Sequence, residues 1–361
     1  MADTLKERIT RHIELSGLLP LAEYMHWCMA DRDFGYYNSA NVLGRQGDFI
    51  TAPEVSQMFG EMLAIWAIQA WKNLGSPNTV NLVELGPGRG TMMSDILRTA
   101  KVADAFSQAI SVTLVETSPK LKQIQEKTLE EYENITWCKS LSDIWDLPTI
   151  LFANEFLDVI PFRQYVKHNG KWPENCVGLS DTRELSWVLG ASFIDEQSLP
   201  AGHKNEPEGS VFEVSTAREA FVEKASDLIR KNTGAALFLD YGHAQSGFGD
   251  TFQAIKGHEY TNPLSAPGLC DLTSHVDFEA LSKTATEKGL YVHPLLTQGE
   301  FLLGLGLAER AGALGQDKSE EVQSRLRSEA ERLVMPEQMG NLFKAFAIST
   351  FPELVPFSKE G

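Results

Sequence analysis

The sequence predicts an α/β fold built on a mostly parallel, seven-stranded sheet. From residue 79 onward, short apolar runs alternate with longer segments of helical spacing, a pattern typical of parallel sheets. A glycine-rich turn follows the first of these runs, which is typical of a nucleotide-binding corner. The predicted strands are 79–85, 111–116, 134–138, 148–153, 235–240, 290–296 and 343–349.

Before the sheet, residues 1–78 are predicted to form a helical and lid region. Apolar spacing predicts helices at 3–30 and 56–74, and an irregular, aromatic stretch of the kind used in binding loops lies between them. Residues 1–14 carry both charge signs and lack the apolar centre of a secretory signal. We therefore expect a bacterial cytoplasmic protein, or a mitochondrial matrix protein if the source is eukaryotic.

The α/β part is predicted over 79–361, with an insertion at about 163–211. That insertion is rich in proline and glycine and breaks the alternation, so we expect a small lobe or hairpin there. A capping pattern at Thr216–Glu219 predicts that a helix starts nearby. The predicted helices of this part are 91–108, 118–132, 213–231, 275–288, 298–312 and 318–333.

Length, charge and cysteine content narrow the class of protein. With 361 residues the chain can bury a large core, and no apolar run approaches the roughly 20 residues that cross a bilayer. The net charge of −17 opposes binding to nucleic-acid phosphates. The four cysteines lie far apart, and no histidine pair has zinc spacing, so we expect reduced thiols and no metal.

The glycine turn carries the strongest chemical signal. Gly86, Gly88 and Gly90 allow a tight turn and a close approach of the backbone to a ligand. Glu84, just before them, would repel a pyrophosphate but suits a ligand with an amino or cationic group. The spacing also differs from the Gly-x-Gly-x-x-Gly of dinucleotide sites. The corner therefore favours S-adenosylmethionine over NAD, with a purely structural turn as the alternative.

Two further strand ends supply the remaining cofactor contacts that we expect. Glu116 ends the second strand, where a carboxylate can accept both ribose hydroxyl protons, although it could also be a first-turn charge of the next helix. After the third strand, Leu141 could cover an adenine ring, and Ser142 or Asp143 could bond its amino group. A helix cap ahead of Ile144 is the equal alternative.

Three polar residues after the fourth strand are the predicted catalytic group. Asn154, Glu155 and Asp158 emerge from an apolar run, where carboxylates can hold a guanidinium or remove a proton. Asn154 is also expected to contact the cofactor. The alternative is a surface loop whose polar groups face water.

Four residues are predicted to contact substrate. Tyr37, Asp48 and Thr51 belong to the expected lid loop, and Tyr241 follows the fifth predicted strand. His243 and His275 could act as bases or be structural, and they stay open at this point.

These blocks together resemble the MidA family, in which the 47–54 and 154–161 segments are the more specific matches. The resemblance implies a class I methyltransferase (Rossmann-like) fold that uses S-adenosylmethionine. Mitochondrial members methylate an arginine of a respiratory complex I core subunit, symmetrically. By position, the three glycines would hold the methionine part, Glu116 the ribose, and Asn154, Glu155 and Asp158 the acidic substrate loop.

Two other functions remain open from the sequence. The same cofactor could serve a small-molecule acceptor, which needs an enclosed pocket. The chain could also be an assembly factor that binds a partner without catalysis. The leading expectation is a protein substrate with a basic, arginine-containing segment.

Overall fold

The computed structural model describes residues 4–38 and 51–358. Its strands are β1 Leu19–Pro20, β2 Val80–Leu85, β3 Ile110–Val115, β4 Ile135–Cys138, β5 Thr149–Asn154, β6 Arg163–Val166, β7 Pro173–Leu179, β8 Leu185–Phe193, β9 Val211–Val214, β10 Gly234–His243, β11 Gln253–Lys256, β12 Glu259–Thr261, β13 Asp271–Thr273, β14 Val276–Asp277, β15 Tyr291–Val292, β16 Leu296–Thr297 and β17 Phe343–Ser349.

Helices of four residues or more occupy much of the remaining chain. They are α1 Leu5–Ser16, α2 Leu21–Ala30, α3 Ala52–Val55, α4 Gln57–Asn73, α5 Thr91–Ala100, α6 Asp104–Ala109, α7 Pro119–Thr128, α8 Thr216–Asn232, α9 Phe278–Glu287, α10 Gln298–Gly304, α11 Leu307–Gly315 and α12 Glu320–Val334. Short 3-10 turns lie at Tyr36–Asn38, Leu141–Asp143, Glu196–Ser198 and His203–Asn205, and a π-helical turn at Pro336–Gly340. In the described ranges, no helix is long and apolar enough to cross a membrane.

The chain folds as two compact units. The larger contains Ile50–Leu157, Phe221–Ala244 and Phe278–Gly361, and the smaller contains Met1–Phe49, Asp158–Ala220 and Gln245–Asp277. This division differs from the predicted boundary at residue 78, because residues 50–78 group with the central sheet. The segments at 158–220 and 245–277 group with the N-terminal helices instead.

In the larger unit, the strands follow the order β15–β17–β10–β5–β2–β3–β4. β4, β3, β2, β5 and β10 run parallel to their neighbours, and β17 is antiparallel to β10. All seven predicted strands are present, so the predicted α/β fold is confirmed. The strand predicted at 290–296 forms two pieces, β15 and β16, because Pro294 between them has no backbone N–H to donate.

Burial explains why the central strands form. Every residue of β2 is buried, as expected for a parallel strand covered on both faces. Trp66 of α4 packs edge-to-face on Phe152 of β5, with 5.3 Å between the ring centroids. This contact packs α4 on β5 two residues before the strand ends at Asn154.

Several predicted helices are interrupted, each for a local reason. The helix predicted at 3–30 ends at Ser16, because Gly17 has φ +92° and the next residues form β1. The helix at 298–312 divides at Gly306, with φ +93°, and the one at 91–108 divides between α5 and α6. The helix predicted from 275 begins only at Phe278. The helix near 216 starts as predicted, but its cap is Ser215, whose Oγ accepts from the N–H of Arg218 at 3.2 Å.

The smaller unit has its own sheets. β7 pairs with β1, β6 and β8, and β6 pairs with β9, all antiparallel. Four of these strands lie within or beside the predicted insertion at 163–211. A second sheet of β11, β12 and β13 falls between 253 and 273, where the sequence analysis placed no element. Its strands are too short to give a clear alternating pattern.

Candidate functional site

The glycine turn after β2 adopts the backbone that its sequence predicts. Gly86, Gly88 and Gly90 have φ of +58°, +53° and +82°, a region that side chains disfavour. A Cβ atom on Gly86 would lie 2.9 Å from Cδ2 of Phe156. The turn therefore requires glycine both for its backbone and for its space, and it leads directly into α5.

Glu84 brings a buried carboxylate to the same corner. Its side chain is 3% exposed, and its Oε2 atom has no hydrogen-bond partner among the residues that the structure describes. Burial raises the pKa of Glu84 to about 8. A buried acceptor without a donor is suited to a ligand that brings one, such as the ammonium of an amino acid. The corner therefore fits the methionine part of S-adenosylmethionine.

Glu116 follows β3, and both oxygens of its carboxylate accept hydrogen bonds. Its Oε1 accepts from the N–H of Ser118 at 2.7 Å, and its Oε2 accepts from Nε2 of Gln125 at 3.0 Å. Burial raises the pKa of Glu116, and these hydrogen bonds oppose that rise. A carboxylate has about four acceptor positions, so it retains capacity for ribose hydroxyls.

Gln125 of α7 is a site residue that the sequence analysis missed. It is fully buried, and its Nε2 also donates to the carbonyl of Gly88 at 2.8 Å. The helical spacing could have indicated this residue, because Gln125 is a polar residue on the apolar face of α7, four residues before buried Leu129.

Leu141 and Ser142 follow β4, as predicted. Leu141 is buried at the start of a 3-10 turn, while Ser142 is exposed and its Oγ lies 2.9 Å from Oγ of Ser140. Ser140 caps this turn, and the described chain has no α-helix starting at Ile144. Their contacts with an adenine ring stay a prediction.

Asn154 and Glu155 lie at the carboxyl end of β5, next to β2. Glu155 has φ +49°, an uncommon conformation for a non-glycine residue. Its Oε1 accepts from Nδ2 of Asn154 at 3.1 Å and from the N–H of Ala52 at 3.2 Å. The Oδ1 atom of Asn154 is buried without a partner in the described part of the chain. These contacts fix the carboxylate at the sheet edge.

Asp240, at the end of β10, holds this loop in place. Its Oδ2 accepts from the backbone N–H groups of Phe156 and Leu157 at 3.1 and 2.8 Å, and its Oδ1 accepts from Tyr241 at 3.0 Å. The sequence analysis did not reveal this positioning contact. The register, with Leu239 opposite Asn154, brings the two strand ends together.

Asp158, the third predicted catalytic residue, belongs to the smaller unit. Its side chain is buried, and its carbonyl accepts from Nη2 of Arg218 at 2.8 Å and from the N–H of Ser274 at 3.2 Å. Arg218 also donates to the carbonyl of His275 at 2.7 Å. Arg218 and Ser274 had no place in the sequence-based site, and a catalytic role for Asp158 stays a prediction.

The four predicted substrate contacts have different surroundings. The ring of Tyr37 meets Tyr36 edge-to-face, and the ring of Tyr241 meets Phe343 in the same way. Thr51 precedes α3, and its carbonyl accepts from the N–H of Glu54 at 2.9 Å. Asp48 lies outside the described residues. Substrate contact remains a prediction for all four.

The described residues contain no group of three or more His, Cys, Asp or Glu side chains arranged to hold a metal ion. The cysteines Cys28, Cys138, Cys176 and Cys270 are free thiols.

Comparisons with known proteins agree with this geometry. Residues 62–295 match a family model described as "Putative S-adenosyl-L-methionine-dependent methyltransferase". The protein arginine methyltransferase NDUFAF7, mitochondrial, of Danio rerio is 33% identical over 96% of this chain and 88% of its own length. The human protein of that name is 34% identical over 93% of this chain and 81% of its own.

A solved structure is similar over nearly the whole chain. A protein from Burkholderia thailandensis that is described as a "likely methyl transferase" and is bound to S-adenosyl-homocysteine superimposes with a TM-score of 0.85 at 26% identity. The similarity covers 98% of this chain and 94% of that one. The likeness therefore extends to both compact units.

Proposed function

The chain belongs to this family of S-adenosyl-L-methionine-dependent methyltransferases, and we propose that its methyl acceptor is an arginine side chain of a protein. Membership confirms the fold, the enzyme class and the cofactor predicted from the sequence. The acceptor is proposed because relatives named protein arginine methyltransferase are 32–35% identical over 93–99% of the chain.

The observation that carries this proposal is the fixed carboxylate of Glu155. A side chain held on a left-handed backbone costs free energy, about 1–3 kcal/mol, so the surrounding contacts must impose it. Asn154 and Ala52 both donate to Oε1 of this carboxylate and hold it at the end of β5, and a carboxylate can bind the paired N–H groups of a guanidinium. Asp240 holds the loop that presents it.

We propose that different residues bind different parts of the cofactor. Glu84 would bind the amino group of the methionine part, and the glycine turn would bind the carboxylate of that part. Glu116 would bind the ribose hydroxyls. Leu141 would cover the adenine ring and Ser142 would bond its amino group. Bound S-adenosylmethionine supplies an electrophilic methyl group on a positive sulfonium.

Glu155 is proposed to orient the acceptor and handle its proton. It would hold the guanidinium so that one nitrogen points at the methyl carbon. It would then accept the proton which that nitrogen loses when the new nitrogen–carbon bond forms and the sulfur–carbon bond breaks. The proposal also includes Asp158 as a second carboxylate for the guanidinium. It further includes substrate contacts by Tyr37, Asp48, Thr51 and Tyr241.

The biological setting is also proposed from the relatives. Their names place them in mitochondria, and the sequence resemblance predicts a complex I core subunit as acceptor. For this chain we propose a protein with a basic segment, because the net charge of −17 would attract it. The compartment is predicted to be the matrix in a eukaryote and the cytoplasm in a bacterium.

The test is to incubate the protein and S-adenosylmethionine that carries a tritiated methyl group with a lysate from cells that lack this protein. We expect label in precipitated protein, recovered as methylarginine after hydrolysis. Glu155→Gln should abolish it while binding S-adenosylhomocysteine normally, and the exposed control Glu130→Gln should keep it. Label confined to small molecules, or full transfer by Glu155→Gln, would contradict the proposal.

A further inference from the structure

Gln125 connects two parts of the cofactor site that are far apart in sequence. Its Nε2 atom donates to the carbonyl of Gly88 at 2.8 Å and to Oε2 of Glu116 at 3.0 Å. Gly88 belongs to the turn that follows β2, and Glu116 follows β3. A single amide group therefore spans the turn and the ribose carboxylate.

The orientation of this amide is fixed by a third partner. The indole N–H of Trp137 donates to Oε1 of Gln125 at 3.0 Å. An indole nitrogen can only donate, so it requires the amide oxygen on its side. Both hydrogens of Nε2 are thereby directed towards Gly88 and Glu116.

Gln125 also forms the floor beneath the glycine turn. A Cβ atom added to Gly90 would lie 3.6 Å from both Cα and Cγ of Gln125, and 3.5 Å from Leu129. The residue is fully buried, so each of its polar atoms must be satisfied inside the protein. The structure gives each of them a partner.

We propose that Gln125 is a positioning residue for cofactor binding, which orients the carboxylate of Glu116 towards the ribose and fixes its place relative to the glycine turn. Glu116 has one oxygen held by Ser118 and the other by Gln125. Without Gln125, its carboxylate can rotate, and the carbonyl of Gly88 loses its donor. The inference rests on the cofactor part of the proposed function and is independent of the methyl acceptor.

The test uses calorimetry with S-adenosylhomocysteine and with its 2′-deoxy analogue. Charge-assisted hydrogen bonds predict that the wild type prefers the ribose form by about tenfold or more. Gln125→Leu should weaken binding of S-adenosylhomocysteine about tenfold and bring that preference close to one. The control Gln123→Leu, exposed on the same helix, should change neither quantity.

A purely structural role would weaken both ligands equally and leave the preference unchanged, which would overturn the inference. Where Gln125→Leu does not fold, Trp137→Phe decides by the same ratio, because it keeps an aromatic ring and removes the donor that orients the amide. Glu116→Gln tests the ribose-binding role of Glu116 separately from the positioning role of Gln125. If it leaves the ribose preference intact, the assignment of Glu116 fails, and the inference about Gln125 fails with it.

Discussion

The carboxylate of Asp240 accepts the backbone N–H of Leu157 at 2.8 Å, and this bond joins the end of β10 to the loop that carries Glu155. The same Oδ2 atom accepts from Phe156. Asp240 is 1% exposed, so water cannot replace these bonds. Asp240 therefore holds the loop in place through buried hydrogen bonds.

Replacing this acceptor should reduce turnover more than cofactor binding. Asp240→Asn would put an amide N–H₂ where one carboxylate oxygen accepts, leaving a buried N–H group unpaired at a cost of about 1–3 kcal/mol. We expect a kcat at least tenfold lower and a Kd for S-adenosylhomocysteine within about threefold of the wild type. Transfer assays and calorimetry measure both, with exposed Asp146→Asn as the control. An unchanged kcat would contradict the positioning role.

Glu84 should make stability fall as the pH rises. Its pKa is about 8 in the folded chain and 4.5 in the unfolded one, so above pH 4.5 the unfolded state ionises first. Its contribution is complete below pH 4.5 and is lost progressively up to pH 8, by up to about 5 kcal/mol. Denaturant unfolding of the ligand-free protein at pH 6 and pH 8 should show this loss, and Glu84→Gln should abolish it.

The same ionisation should link ligand affinity to pH. An ammonium group binds the ionised form of Glu84, so affinity for S-adenosylhomocysteine should rise by up to tenfold per pH unit until about pH 8. Methylthioadenosine, which lacks the amino-acid part, should show no such rise. Equal pH profiles for the two ligands would place the ammonium elsewhere.

His293 should make the stability of the fold decrease as the pH falls. Burial lowers the pKa of His293 to about 4, and its Nε2 lies 2.8 Å from Oγ of Ser349. The unfolded chain therefore binds a proton first as the pH falls below 6.5. The contribution is complete above pH 6.5 and is lost towards pH 4, by at most about 3 kcal/mol.

Thermal unfolding between pH 7 and pH 4.5 measures this effect. His293→Phe keeps an aromatic ring beside Phe357 but cannot titrate, so its stability should depend less on pH over this range. Exposed His26→Phe is the control and should follow the wild type. Identical profiles for His293→Phe and the wild type would refute the assignment.

Glu61 is expected to stabilise the fold without affecting the site. Its carboxylate is 1% exposed and pairs with Arg310 at 2.6 Å and with Arg98 at 3.0 Å. Burial favours a higher pKa for Glu61, but the two guanidinium groups lower it overall. Glu61→Gln should lower the free energy of unfolding by about 1.5–3 kcal/mol, because the buried side chain loses charge-assisted hydrogen bonds to two guanidinium groups that are themselves partly exposed to water.

Denaturant titration measures that loss, and calorimetry should show a nearly unchanged affinity for S-adenosylhomocysteine in the folded variant. Glu126→Gln breaks an exposed pair with Lys122 at 3.7 Å and should cost less than about 1 kcal/mol. Similar losses for the two variants would mean that the Glu61 cluster adds little.

The sequence predicts the sheet well because its central strands are continuous apolar runs. The strand ends at Glu84, Glu116 and Asn154 follow from this pattern, since parallel strands present their carboxyl ends at one edge. The helix breaks at Gly17 and Gly306 were harder to predict from the sequence, because glycine is also tolerated inside helices. Their left-handed backbones depend on the surrounding packing.

The contacts that support the site could not be predicted, because they join segments distant in sequence. Gln125 meets Gly88 only after α7 packs beside the glycine turn, and Asp240 meets Leu157 only after β10 pairs with β5. Periodicity indicates which residues are buried. It does not indicate which buried polar groups will meet.

The position of β17 has a consequence for synthesis of the chain. This late strand lies between β10 and β15, so residues 235–241 of β10 lack this partner while residues 244–342 are still being made. Translation at about 5–20 residues per second leaves that edge open for several seconds. An exposed strand edge invites pairing with other nascent chains. Residues 235–241 of β10 are therefore exposed to such pairing until β17 has been synthesised.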